Sequence, residues 1–354
     1  MSKRLLSPKD QIYKYTLIKK LGQGGFGQVW LAKDAAVDRV LAVKIIESSG
    51  NIISALKEAR IGNKLSHDNL SRIHYADVVK ENDIDLVIIA MDHYERGDIS
   101  QLANTDNFIP IKQTIRVIID VLKGLDHLHR QNLYHCDIKP NNILINDNGS
   151  GILTDYGISC PSSNGESVCP ESVYVLHMSP EVLKDNKINA QTDIYQLGLT
   201  AFRMLTDLKF LENKDNLLGR STYYEKIKSG TIISNSDYLD FIPRQLKAII
   251  NKALKKEPSQ RYGSAIEMRR ALESLRLIGT WTVDNSNNYL GEDKSYYYRF
   301  EISPRRAGNI DFTAFKTNKS SGKETRVTKY CGKNISKRKG DTLRKQFMQY
   351  VVCG

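Results

Sequence analysis

Gly22, Gln23, Gly24, Gly25, Phe26 and Gly27, followed by Val29, stand between two β-prone stretches. Glycine lets a backbone approach phosphate oxygens closely, and successive backbone N–H groups can converge on negative charge. Such a stretch also serves as a plain hairpin turn. Ala42-Val43-Lys44 follows in an apolar run, and a lysine facing a glycine loop is a compact positive charge for phosphate oxygens. Glu58 lies in a stretch of helical character, where its carboxylate can pair with Lys44. Then come His135-Cys136-Asp137-Ile138-Lys139-Pro140-Asn141-Asn142, Asp155-Tyr156-Gly157, Ser179-Pro180-Glu181, Asp193 and Arg261. Any one of these charges, alone, fits a solvated surface residue. Together they point to chemistry on phosphate.

In this order and spacing the motifs resemble those of eukaryotic-type serine/threonine protein kinases, over roughly Tyr15 to Leu275. The resemblance implies an α+β, bilobal protein-kinase fold, with a β-rich N-lobe at 15–92 and a helical C-lobe at 97–276. It implies ATP and Mg2+ as cofactors and a protein substrate with a serine or threonine acceptor. The Gly22–Gly27 loop would cover the ATP phosphates. Val29, Ala42 and Met91 would wall the nucleotide, and Asp92, His93 and Tyr94 would form the hinge. Lys44, fixed by Glu58, would hold the α- and β-phosphates. Asp155 and Asn142 would bind the metal, a hard cation suited to oxygen ligands. Asp137 would accept the proton of the attacking hydroxyl, and Lys139 would neutralise charge on the transferring phosphoryl. Glu181 and Arg261 would form a buried ion pair at the end of the activation segment, and Asp193 would brace the catalytic loop. Lys139 followed by Pro140 matches the serine/threonine form of that loop, and His135 reads as a packed structural histidine.

Four residues depart from the family pattern. Cys136 stands where many kinases carry the arginine that pairs with an activation-loop phosphate. Activity is therefore expected to depend little on phosphorylation of that loop. Tyr156 replaces the commoner phenylalanine. Gly62 falls where a bulky apolar side chain usually stacks beneath the metal-binding motif, which leaves a gap or lets Tyr156 fill it. Tyr174 stands where a threonine often braces Asp137 and Lys139. Gly62 and Tyr174 keep a pseudokinase scaffold as the alternative reading, against which the intact Lys44, Asp137, Asn142 and Asp155 stand. A small-molecule phosphotransferase of similar fold is a third, and the long loop from Asp155 to Glu181 and the Glu181/Arg261 pair favour a protein substrate instead.

The elements that position these residues follow from periodicity. Tyr15–Ile18, Val29–Ala32, Val40–Ile46 and Leu86–Met91 read as strands, and Ile53–Leu65 as a helix. Ile111, Ile115, Ile118, Ile119, Leu122, Leu125 and Leu128 form one apolar face of a long helix that Pro110 opens. Ile143–Ile145 and Gly151–Thr154 are short strands. Residues 158–172 are polar and read as a long functional loop. Helices resume at Asp193–Leu205, Pro243–Leu254 and Ser264–Leu275.

Residues 1–14 read as an N-terminal extension and 279–354 as a small, basic, β-rich accessory domain, with strands at Trp281–Val283, Tyr296–Ile302, Ile310–Phe315 and Arg326–Tyr330 and a closing helix at Asp341–Val352. The chain has 354 residues and a net charge of +12. From Leu277 onward there are 15 Lys and Arg against 7 Asp and Glu, a net +8, so most of the excess lies in the last fifth of the chain. A nucleic acid or other polyanion is one partner that fits. A solvated charged face over an aromatic core is the plainer reading, and a module docked on or inhibiting the kinase lobe is a third. The longest apolar stretches, such as Leu86–Met91, are far short of the roughly 20 residues a bilayer crossing needs. Five cysteines without a CxxC pair argue against disulfides and zinc. The expectation is a cytoplasmic protein with no membrane partner.

Overall fold

Runs of β-branched and aromatic residues at the N-terminal end fold into one antiparallel sheet. In the computed structural model, which describes residues 6–24, 27–48, 52–81, 83–103, 108–156, 159–162, 165–169, 174–283 and 288–354, that sheet starts with β1 (Gln11–Ile12), β2 (Tyr15–Gly24), β3 (Gly27–Asp34) and β4 (Arg39–Ser48). Helices α1 (Ile52–Ala55) and α2 (Lys57–Gly62) follow, then β5 (Ile73–Glu81) and β6 (Ile84–Met91). The strand order β1-β2-β3-β4-β6-β5 places β6 beside β4, with β5 at the edge. Leu86 to Met91 are all buried. Ile12 is also fully buried, so the sheet's core reaches upstream of Tyr15.

The helical lobe is organised around α3 (Ile111–Arg130), which buries Val117, Ile118, Val121, Leu122, Leu125 and Leu128 along one face. After it come β7 (Leu133–Tyr134), β8 (Ile143–Ile145), β9 (Gly151–Leu153) and β10 (Cys160–Pro161). The pairs β8–β9 and β7–β10 are antiparallel and fix the loops on either side of them. Helices α4 (Pro180–Asp185), α5 (Ala190–Thr206), α6 (Phe210–Leu218), α7 (Arg220–Ser229), α8 (Arg244–Ala253) and α9 (Ala265–Glu273) complete the lobe. Nearly every residue of α5 is buried, as expected of a helix that is core on all sides. The chain is thus α+β and bilobal, with a third, β-rich region.

That third region is a sheet of β11 (Thr280–Val283), β12 (Tyr289–Glu292), β13 (Tyr296–Pro304), β14 (Ile310–Asn318) and β15 (Glu324–Arg326), with β16 (Gly332–Ile335) also paired to β14. Helix α10 (Lys337–Cys353) lies against it. Phe347 of α10 contacts Trp281, Tyr298 and Tyr330 with ring centroids 5.8, 6.1 and 5.6 Å away. The buried Trp281 indole donates to the Met348 carbonyl at 3.0 Å. Two expectations from sequence are corrected. Ile53–Leu65 is not one helix but α1 and α2. The strand expected to run from Arg326 to Tyr330 ends at Arg326, with a 3-10 turn over Thr328–Tyr330.

Candidate active site

Two strands and a hairpin place the basic end of the cleft. Gly22 lies opposite Val29, and Gly24 opposite Gly27, across the β2–β3 hairpin. Gly27 has φ +127°, and a Cβ there would fall 2.3 Å from the Ile45 carbonyl oxygen on the neighbouring β4, so only glycine fits. Gln23 is part of the hairpin, whereas Gly25 and Phe26 lie outside the described residues. Lys44 pairs with Val29 across β3–β4, and Ala42 with Met91 across β4–β6. One strand thereby carries both the cation and part of the apolar wall. Asp92 leads out of β6, its carboxylate 3.0 Å from Arg39 Nη2 and 2.7 Å from His74 Nε2. His93 and Tyr94 follow, and burial pushes the Tyr94 phenol up to about 12.

Lys44 is buried with its Nζ 2.5 Å from Glu58 Oε2 and 3.1 Å from Asp155 Oδ1. Burial opposes its charge, but the Glu58 and Asp155 carboxylates outweigh burial and hold the ammonium above the ordinary lysine range. The Asp155 carboxyl is likewise penalised by burial, yet Lys44 draws it below the usual aspartate value. Its side chain keeps 35% exposure, so the ionised group reaches solvent.

The loop from His135 to Asn142 is held from α5. Asp193 accepts the His135 N–H at 2.9 Å and the Cys136 N–H at 2.8 Å, while His129 Nε2 lies 2.8 Å from its Oδ2. Gln196, one turn on, accepts from Ile138 N–H at 3.0 Å and donates to the Cys136 carbonyl at 2.8 Å. These bonds hold Cys136 in the left-handed region, at φ +71°, and Asp155 shares that conformation at φ +68°. Both are non-glycine residues, so each holds a backbone conformation that the surrounding hydrogen bonds must maintain. His135 is buried, takes the Asp137 N–H on Nδ1, and donates from Nε2 to the Thr154 carbonyl at 3.0 Å.

Asp137 is buried. Its Oδ2 accepts from Lys139 Nζ at 2.7 Å and from Asn142 Nδ2 at 2.9 Å. Its Oδ1 has no hydrogen-bond partner among the described residues. Asn142 also donates to the Asp137 carbonyl, which leaves the Asn142 amide oxygen for a cation. Asp155 and Asn142 therefore offer the oxygen donors a hard divalent ion takes, and the residues present fit magnesium.

Beyond the loop, Glu181 and Arg261 form a two-pronged pair at 2.8 and 2.7 Å, and Thr192 donates to the same carboxylate. Arg261 also donates to the Lys255, Lys256 and Gln191 carbonyls. The gap expected at Gly62 is filled: a Cβ there would meet Ile73 Cδ1 at 2.3 Å. The buried Tyr156 instead donates its hydroxyl to the Ser71 and Leu153 carbonyls. Cys136 is buried, and its thiol, pushed up by burial, donates to the Tyr134 carbonyl. Sequence reasoning missed Gln196 and His129. Gln196 was findable, since it stands three residues after Asp193 on one helix and so shares its face.

Comparison with known proteins gives one family. Residues 15–274 match the model described as "Protein kinase domain". The chain is 26% identical over 280 residues to serine/threonine-protein kinase PknB of Mycolicibacterium smegmatis, covering 76% of this chain and 44% of that protein. It is 27% identical over 268 residues to serine/threonine-protein kinase PrkC of Bacillus subtilis, covering 74% and 40%. It is 27% identical over 293 residues to a probable serine/threonine-protein kinase of Clostridium perfringens, covering 81% and 41%. The chain thus matches less than half the length of these relatives. No helix among the described residues is long and apolar enough to cross a membrane.

Proposed function

We propose, because this chain belongs to the protein kinase family, that it transfers the γ-phosphoryl group of ATP to serine or threonine hydroxyls of a protein. The observation that carries this reading is the Asp137 carboxylate. One oxygen is held by Lys139 and Asn142, and the other is buried without a partner among the described residues. An acceptor hydroxyl that donates to Oδ1 regains the missing hydrogen bond and is aimed by it. Its oxygen forms a bond to the γ-phosphorus, the bond from that phosphorus to the bridging oxygen breaks, ADP leaves, and the proton passes to Asp137. Lys44 and the β2–β3 hairpin hold the nucleotide's phosphates, with Glu58 fixing Lys44. Asp155 and Asn142 would hold magnesium, which when bound supplies positive charge to the phosphate oxygens. Lys139 offsets charge that develops on the transferring group. The choice of serine and threonine rests on Lys139-Pro140 and on the activity that the relatives' names carry.

Catalysis of the non-RD kind, with little dependence on loop phosphorylation, rests on Cys136. Its backbone and thiol are fully engaged with Asp193 and Tyr134, and it brings no cation for a phosphate. Ser159 and Ser162 of the loop are themselves buried. The five cysteines, all free, suit the reducing cytoplasm. In the 279–354 unit, Trp281, Tyr298, Phe312, Tyr330 and Phe347 are core, while Tyr297 is exposed with Lys319 over its ring, so a polyanion partner would be met mainly by cations.

Purified protein with Mg2+ and ATP should phosphorylate protein serine or threonine, and Asp137→Asn should lower transfer at least about a hundredfold. Equal transfer by both would end the assignment. Alanine at Ser159, Ser162, Ser163, Ser167 and Ser172 together should leave turnover within a few-fold, and abolition with the fold intact would refute the non-RD reading.

A further inference from the structure

The ammonium of Lys139 has a second neighbour besides Asp137. Its Nζ lies 4.5 Å from the centre of the Tyr174 ring, within the range where the negative face of an aromatic ring attracts a cation. We propose that Tyr174 is the positioning residue of the catalytic lysine: the ring fixes Lys139 against Asp137 and so sets where its charge meets the transferring group. This deepens the kinase reading and rests on it.

Lysine carries its charge on a flexible four-carbon stem. The 2.7 Å bond to Asp137 Oδ2 fixes one distance, and the ring supplies a second constraint. The ring is itself backed. It lies 5.7 Å from the His177 ring, and His177 is fully buried. Arg203 Nη1 sits 2.9 Å from His177 Nε2, and Arg203 is paired in turn with Glu212. Burial and the Arg203 charge push the His177 imidazole well below its ordinary value, so the support behind the ring stays neutral and does not repel Lys139. Tyr174 thus does through its π face what a side-chain hydroxyl could do by a hydrogen bond.

The test compares Tyr174→Phe, which keeps the π face, with Tyr174→Leu and Tyr174→Met, which keep apolar bulk without it. The first readout is the rate at which acetic anhydride labels Lys139, normalised to the exposed Lys337 and read by mass spectrometry. Phe should label like wild type, while Leu and Met should label about threefold faster or more. The second readout is kinetic. Leu and Met should lose about tenfold in kcat, roughly 1.4 kcal/mol, with the KM for ATP within about twofold, and Phe should keep most of kcat. In a Lys139→Met background, Tyr174→Leu should cost nothing further. Labelling of Leu and Met equal to wild type, or a full additional loss in the Lys139→Met background, overturns the proposal. If wild type transfers no phosphate at all, the kinase reading falls, while the labelling still decides whether Tyr174 holds Lys139.

Discussion

Glu181 carries a negative charge into the helical lobe, and nearly all of its environment is arranged to accept it. Arg261 grips both carboxylate oxygens, its guanidinium is fully buried, and its remaining donors meet backbone carbonyls. Burial would raise the Glu181 pKa, but the hydrogen bonds and charge of Arg261 win and hold it below the usual 4.5. A carboxyl depressed in the folded state adds stability that is present above its unfolded value and lost as pH falls through the folded one. The thermal midpoint should therefore drop as pH falls below about 4.5. Glu181→Gln should lie below wild type at pH 7 and show a shallower acid slope. Because the change strands a buried guanidinium, roughly 3–5 kcal/mol should be lost at neutral pH. An acid slope unchanged in the variant would show that this pair is not what titrates. Glu181 was legible in the sequence because Ser179-Pro180-Glu181 forms a motif. Tyr174 stands out as a departure from the family pattern, and Gln196 lies one turn after Asp193, but the partners of both come from segments distant in the chain and show only in the fold.

At the scale of elements, Gly62 shows what sequence can and cannot convey. The letter alone suggests a hole beneath Asp155. The fold instead brings Ile73, at the start of β5, into that place, and a contact across separate elements cannot be read from either residue alone. Gly62→Leu should overpack the site by roughly 1–3 kcal/mol. Adding Ile73→Ala should recover part of that, so the double variant is more stable than the two single losses predict. Strict additivity in urea denaturation would mean that Ile73 does not fill this space. The same limit explains which elements were legible. Helix α3 shows a clean apolar stripe and is readable to within a few residues. Helices α6 and α7 have weak amphipathic character and polar sequences such as Glu212-Asn213-Lys214-Asp215, so periodicity does not reveal them. Strands β12 and β16 are four residues each and contain glycine; they exist because neighbouring strands pair with them.

For the whole molecule, the third region is joined to the helical lobe by a structured contact. Asp240 takes Arg344 at 2.8 Å and Lys345 at 3.3 Å. Gln349 donates to the Asp240 and Ile242 carbonyls, and the rings of Phe241 and Tyr289 lie 6.3 Å apart. Removing 279–354 would uncover this surface, so truncation should destabilise the lobe and is a poor test of what the region binds. Point changes in the intact chain are better, and the first turn of α10 is the place for them. Lys337, Arg338 and Lys339 are exposed there with no acidic residue in that turn. Three cations at the positive end of a helix oppose its dipole, an arrangement that a bound polyanion would relieve. If the polyanion reading holds, alanine at all three positions should weaken retention on single-stranded nucleic acid. The slope of log affinity against log salt should become shallower by about 0.7 for each phosphate that is no longer neutralised. The thermal midpoint should hold or rise, because like charges leave a helix N-terminus. Retention that is absent in wild type, or unchanged in the variant, would leave these lysines and arginine as a solvated face and end the polyanion reading for this surface.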